Sequence, residues 1–264
     1  MIFRPLRFGG NSKMGGIKMA RLTEREIDAI TNDFYSCFCG INLSEAVSGI
    51  SFVCADSRNE EVRGFGCKYS IFVLAKDNMC VASYAPQYAD FFGRLQGVGA
   101  ANILKTVDAS FKIKKMQLMK FRKECVHEYG NAQVLKKTDY PLYEEFFRAA
   151  SPSADPSGWL QEYFEDKAEK EYFTGYFVNG KLVSVCDAPD MPYMEDVIQH
   201  TGIVTLKNER RKGYAKRTAA LAAHHLIEQG ICPQWECHVE NIASVALAES
   251  IGYEKYGVAY ILEE

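Results

Sequence analysis

Apolar residues recur at helical spacing soon after residue 20. Thr23 followed by Glu26 makes a capping-box pattern, and Ile27, Ile30, Phe34 and Phe38 then fall on one face, which predicts a helix. The β-rich runs at 68–75 and 79–85, parted by Lys76-Asp77-Asn78, predict a hairpin. Residues 93–109 read as helical in their later part. At 112–121, Phe111, Ile113, Met116 and Leu118 alternate imperfectly against lysines, which predicts an edge strand. Further along, Leu142, Phe146 and Phe147 set the inner face of a helix over 139–150, ended by a Ser/Pro/Gly stretch at 151–158, and a second helix follows over 159–170. The runs 172–178 and 182–186 flank Asn179-Gly180, the pair a type I′ hairpin turn requires. Then come a strand at 201–206, an Ala-rich helix over 213–229 capped by Gly230, a strand at 234–239, a helix over 243–250 stopped by Gly252, and a last strand over 253–262. A short strand at 132–135 would complete the set.

Such an order of elements gives an α/β (α+β) chain with a mixed central sheet. At 264 residues, against a typical domain of about 150, one large domain or two modest ones are expected. The polar stretch 126–137 places a boundary near residue 130. The organisation expected is a flexible extension over 1–20, a smaller N-terminal α+β domain over 21–130 and a second domain over 131–264. Met14 and Met19 leave a later translation start open.

Composition narrows the class. With 47% hydrophobic and 25% charged residues the chain is neither disordered nor low in complexity. Apolar runs stay under ten residues, too short to span a bilayer, and residues 1–20 lack the apolar core of a secretory signal. A cytoplasmic protein with no membrane partner is expected. The nine cysteines are odd in number and lack CxxC spacing, so reduced thiols are expected and no metal site is.

The net charge of −3 hides an asymmetry. Residues 1–130 carry 18 Lys and Arg against 13 Asp and Glu, while residues 131–264 carry 13 against 21, so the two parts stand at +5 and −8. Within the acidic part, Lys207, Arg210, Arg211, Lys212, Lys216 and Arg217 crowd into eleven residues beside one acid, Glu209, leaving −13 elsewhere. These cations lie where a strand runs into a helix through Gly213, Tyr214 and Ala215. A helix start leaves its first N–H groups unpaired, and small residues let a ligand approach the backbone, so a pyrophosphate-sized polyanion is the expected guest. A basic patch for nucleic acid is the competing reading, and the acidic whole argues against it.

The run Arg210-x-x-Gly213-x-Ala215 after a strand resembles the acetyl-CoA signature of the GCN5-related N-acetyltransferases (GNAT), Gln/Arg-x-x-Gly-x-Gly/Ala. Asn241-x-x-Ser244-x-x-Leu247-Ala248-x-x-x-Gly252-Tyr253 is similar to that superfamily's next helix and strand. Trp235-Glu236-Cys237 and the Leu247-Ala248 pair look like a bacterial subgroup of GNAT acetyltransferase-like proteins with an added N-terminal domain. The resemblance covers 131–264, and the N-terminal part reads as a degenerate copy of half that fold.

The resemblance implies acetyl-CoA as acyl donor. Amides from Arg210 to Ala215, including those of Arg211, Lys212, Gly213 and Tyr214, would hold the pyrophosphate. Main-chain groups of Val204 and Leu206 would pair with the pantetheine arm. Asn241 would bond the arm's far end, and Ser244 would sit near the thioester or a phosphate; Asn241 also suits a helix cap. Many relatives place a tyrosine where this chain has Ala248, so thiolate protonation is left to another group, with Tyr253, Tyr256 and Tyr260 as stand-ins. For the base, the resemblance points to a carboxylate near the central strand; Glu195 and Asp196 lie just upstream of it, and His200 stands at its start with a pKa suited to proton relay. The activity implied is transfer of an acetyl group to a primary amine of a small molecule or peptide by direct attack. A non-catalytic acyl-CoA-binding or regulatory protein remains the alternative, and a homodimer stays open.

Overall fold

Thr23 accepts a hydrogen bond from the Glu26 amide while the Glu26 carboxylate accepts from the Thr23 amide, and this reciprocal cap starts the first helix where the sequence places it. The computed structural model describes residues 21–45 and 48–264; the extension expected over 1–20 lies outside them. In chain order the elements are α1 (Glu24–Cys39), β1 (Gly49–Cys54), β2 (Glu61–Val62), β3 (Cys67–Lys76), β4 (Met79–Tyr84), α2 (Ala89–Gly93), α3 (Ala100–Ser110) and β5 (Lys114–Phe121). They continue as β6 (Ala132–Val134), α4 (Tyr140–Ala150), α5 (Leu160–Glu169), β7 (Thr174–Val178), β8 (Lys181–Asp187), β9 (Ile198–His200) and β10 (Gly202–Thr205). Last come α6 (Tyr214–Glu228), β11 (Cys232–His238), α7 (Ile242–Ile251) and β12 (Tyr253–Glu263).

Two sheets result. The larger runs β1-β4-β3-β12-β5-β11-β9, with β2 paired to β3, and the smaller runs β10-β8-β7-β6. Strands from both sides of residue 130 thus share the larger sheet. Asn179 and Gly180 both hold positive φ (50° and 76°), as the β7–β8 turn demands.

One expectation is overturned. The strand at 114–121 is interior, flanked by β12 and β11, rather than an edge. Its lysines suggested an edge because unpaired charge is costly inside a sheet, but each has an acid to meet: Lys114 pairs with Glu263, Lys115 with Asp108 and Lys120 with Asp28.

The main core joins α1, the larger sheet, α6 and α7, with Tyr35, Leu118, Met119, Trp235 and Ala248 all sealed from water. A second core, around Ile71, Val73, Ile103 and Val107, lies under α3. Among the described residues no helix is long and apolar enough to cross a membrane, no group of three or more His, Cys, Asp or Glu could hold a metal, and all nine cysteines are free thiols.

Candidate functional site

The single strand expected at 201–206 changes sheets partway along. His200 and the residues before it pair in parallel with β11, and the Thr201 amide donates to the Gln234 carbonyl at 2.9 Å. From Gly202 onward the chain pairs with β8 instead. β10 therefore parts from β11 just past Thr201, opening a V whose sides are the free edge of β10 and the far end of β11.

Register decides which groups face the V. The Leu206 amide donates to Val183, so with a two-residue period Val204 and Leu206 turn their main-chain groups onto β8, and Ile203 and Thr205 turn theirs into the V. Pairing expected at Val204 and Leu206 is thereby moved by one residue. Parity on β11 likewise directs the Glu236 and His238 main chain toward the gap, since Gln234 already bonds Thr201 on that side. The Glu236 amide is met by the ring of His200, which accepts at Nε2 from 3.2 Å.

At the open end of β10 the backbone turns through Arg211 (φ 63°) and Gly213 (φ 80°) into α6. No side chain caps that helix. Among the described residues, the amides of Arg210 through Lys216 have no hydrogen-bond partner, a run of seven donors around one glycine. Such a concave array attracts anions. The cations are arranged unequally about it. Arg210 folds back to donate to the Thr205 carbonyl at 3.1 Å, and Lys212 pairs with Glu209 at 2.9 Å. Arg217, one turn into the helix, lies 3.6 Å from where a Gly213 Cβ would stand and so brings its charge over the loop. Tyr214 stacks on Tyr176 with ring centroids 4.4 Å apart, which fixes the first turn.

The α7 residues have roles inside the fold. Asn241 caps α7 by accepting from the Ser244 amide at 3.1 Å, and the Ser244 hydroxyl accepts from the Trp235 indole at 3.1 Å. Ala248 is completely buried.

The six groups suggested by the sequence for proton transfer lie in separate places. Glu195 pairs with Arg63 at 2.8 Å and Lys170 at 3.3 Å. Asp196 accepts from Tyr172 at 2.9 Å and pairs with Lys170 at 3.1 Å; burial works against ionisation, yet those bonds hold its carboxyl below the ordinary value. Tyr260 packs on the α3 side of the sheet, beside Lys115 and the Ile71 cluster. Only His200 stands at the V, where burial pushes its pKa down to about 4 and leaves Nδ1 buried without a partner. Tyr253 bonds Thr201 at 3.2 Å, and Tyr256 stacks on Tyr35.

Glu236, named in the sequence only within a resemblance, is the carboxylate at the V. It accepts from the Tyr35 phenol at 2.9 Å and from the Gln234 amide at 2.7 Å, and burial raises its pKa against those two bonds. Strand alternation already puts Gln234 and Glu236 on one face of β11. The bond from α1, 201 residues away in sequence, leaves no local signal.

No curated protein matches the sequence. Among solved structures, a GNAT-family acetyltransferase from Colwellia psychrerythraea aligns with 20% identity and a TM-score of 0.48 over 62% of this chain and 62% of that one, less than two thirds of either. A GCN5-related N-acetyltransferase-like protein from Streptococcus suis aligns over 90% of this chain and 98% of its own, with 14% identity and a TM-score of 0.43. A Salmonella typhimurium acetyltransferase with its cofactor acetyl-CoA aligns over 50% and 91%, with 12% identity and a TM-score of 0.40. The sequence profile described as GNAT acetyltransferase matches residues 78–260, more than half of the molecule, and the chain belongs to that family.

Proposed function

We propose that the protein moves the acetyl group of acetyl-CoA onto a primary amine of a small molecule or peptide, with both substrates bound together. The observation that carries this reading is the parting of β10 from β11 beside seven unpaired amides. A free strand edge can be extended by an amide-bearing chain, as the pantetheine arm is, and the amide array suits a pyrophosphate. The residues present fit the donor: Ile203 and Thr205 would hold the arm, the amides of Arg210 to Lys216 would hold the phosphates, and Arg217 and Arg211 would add charge.

In the reaction, the amine lone pair attacks the thioester carbonyl carbon, the C–S bond breaks with its electrons left on sulfur, and the amine loses a proton. Glu236 is the group we assign to take that proton, because burial has made its carboxylate more basic than usual. Tyr35 and Gln234 orient it. A thiolate whose parent pKa is near 8.5 leaves without a dedicated acid, consistent with alanine at 248. The −13 that residues 131–264 carry outside the basic turn favours approach of a cationic amine.

Isothermal titration with acetyl-CoA, followed by thiol release across a panel of amines, tests the reading. Saturable binding and amine-dependent release are expected; absence of binding at tens of micromolar would overturn it.

A further inference from the structure

Arg58 lies in the short turn Asp56–Asn59 that follows β1. It is 3% exposed and lines a cavity of about 270 Å³. Among the described residues its guanidinium makes no hydrogen bond and no ion pair, and Nη1 is buried without a partner. Glu60 and Glu61 line the same cavity, yet neither pairs with it. Arginine cannot shed its proton to escape burial, so a charge held out of water with its donors unmade is a standing cost to the fold. A native structure keeps such a group where something outside its own contacts completes it.

The cavity is separated from the proposed base by the rings of Phe38 and Tyr35, and Glu236 does not itself line it. Tyr69 and Tyr193 line it, and both pack on Phe38, at 6.0 and 4.9 Å between ring centroids. Phe38 neighbours Tyr35 on α1, and Tyr35 donates to Glu236. The Tyr69 phenol is pushed up by burial and next by the field of the Glu236 carboxylate, which places the cavity wall within electrostatic reach of that group.

We infer that the Arg58 cavity seats a carboxylate of the acceptor, so that the substrate is an amino acid or a close analogue whose amine faces Glu236. The planar guanidinium fork matches a carboxylate at two points. Glu60 and Glu61 line the cavity with Arg58, and the other cation there, Arg63, is already paired with Glu195 at 2.8 Å, so the two acids disfavour a dianion such as phosphate and favour a group that also bears positive charge. This inference rests on the assignment of Glu236 as base.

The test compares thiol release from acetyl-CoA with matched acceptors, phenylalanine against phenethylamine and lysine against cadaverine, in the parent and in Arg58→Met. The parent should prefer the carboxylated member by about tenfold or more in kcat/KM, chiefly through KM, and Arg58→Met should erase the preference. Arg58→Lys should retain part of it. Equal use of both members by the parent overturns the carboxylate seat while leaving the acetyltransferase reading standing. Failure of every acceptor despite acetyl-CoA binding sinks the catalytic reading instead, and stability then decides on Arg58. A residue kept for a ligand is replaced by methionine with an unchanged or raised melting temperature, and N-acetylglycine should raise that temperature in the parent but not in the variant. A marked fall, or failure of the variant to fold, makes Arg58 a structural residue and overturns the inference.

Discussion

Tyr35 on α1 donates its phenolic hydrogen to Glu236 on β11, 2.9 Å away, and through that bond the N-terminal helix reaches the point where the sheet opens. Gln234 donates to the same carboxylate, so two buried neighbours hold one acid. Burial raises the carboxyl's pKa and the two hydrogen bonds lower it, so the N-terminal part of the chain tunes the proposed base as well as walling it in.

Removing the base should expose that tuning. Glu236→Gln is expected to reduce kcat by about 10²-fold or more and to flatten the acid limb of the pH–rate profile, with acetyl-CoA affinity retained. Tyr35→Phe deletes a bond that favours the ionised form, so the Glu236 pKa should rise further and the acid limb should move to higher pH. Steady-state thiol release between pH 5 and 9 measures both. A limb unmoved in Tyr35→Phe would show that Glu236 is not the titrating group.

The amide array makes a separate demand on Gly213. Its φ of 80° suits glycine, and any side chain there would project toward Arg217. Gly213→Asp adds strain and a negative charge among the seven free amides, and acetyl-CoA affinity should fall by about a hundredfold, read by titration calorimetry. The nearby Lys212→Ala change should cost less than about threefold, because Lys212 is already engaged by Glu209 at the surface.

Much of this site was legible from local pattern. The turn before α6 combines cations, glycine and alanine within a few residues, and each of those properties acts locally. Helix starts at Thr23 and hairpins at Asn179-Gly180 are of the same kind. What escaped depends on pairing across the fold. Whether residue 204 or 205 faces the V depends on which side β8 lies, and the lysines of β5 looked like edge residues because their acids come from α1, α3 and β12. Glu236 carries no local signal since its meaning comes from Tyr35, and Arg58 carries none because an arginine in a polar turn ordinarily points to water. Glu195 and Asp196 stood close in sequence to the central strand, but left-handed φ values at Met194 and Asp196 turn that segment toward Lys170 and Arg63.

Gly252, where α7 gives way to β12, should be the most sensitive glycine of the C-terminal part. Its φ is 115°, and a Cβ there would overlap the Lys123 carbonyl oxygen, which belongs to backbone and cannot swing aside. The Gly252 carbonyl also accepts from the amides of Arg122 and Lys123, tying β12 to the end of β5. Gly252→Ala should destabilise the protein by about 3 kcal/mol or more in urea unfolding, combining strain at positive φ with backbone displacement. A loss under about 1 kcal/mol would mean that the 122–123 segment moves freely.

His200 supplies a prediction about acid stability. In the fold its pKa is pushed down to about 4 by burial, against an ordinary 6.5, while its Nε2 lone pair accepts from the Glu236 amide. A depressed folded value means that the unfolded chain takes up the proton first, so this residue's contribution is fully present above pH 6.5 and is lost as pH falls toward 4. By pH 5 the loss should reach about 2 kcal/mol. His200→Gln keeps an acceptor in reach of the Glu236 amide but has nothing to protonate. Its unfolding free energy should therefore decline less than the parent's between pH 7 and 5, by about that amount, in parallel urea titrations. Identical slopes would mean that the imidazole is charged in the folded state, with the unpartnered Nδ1 reaching water or an acid that stabilises it.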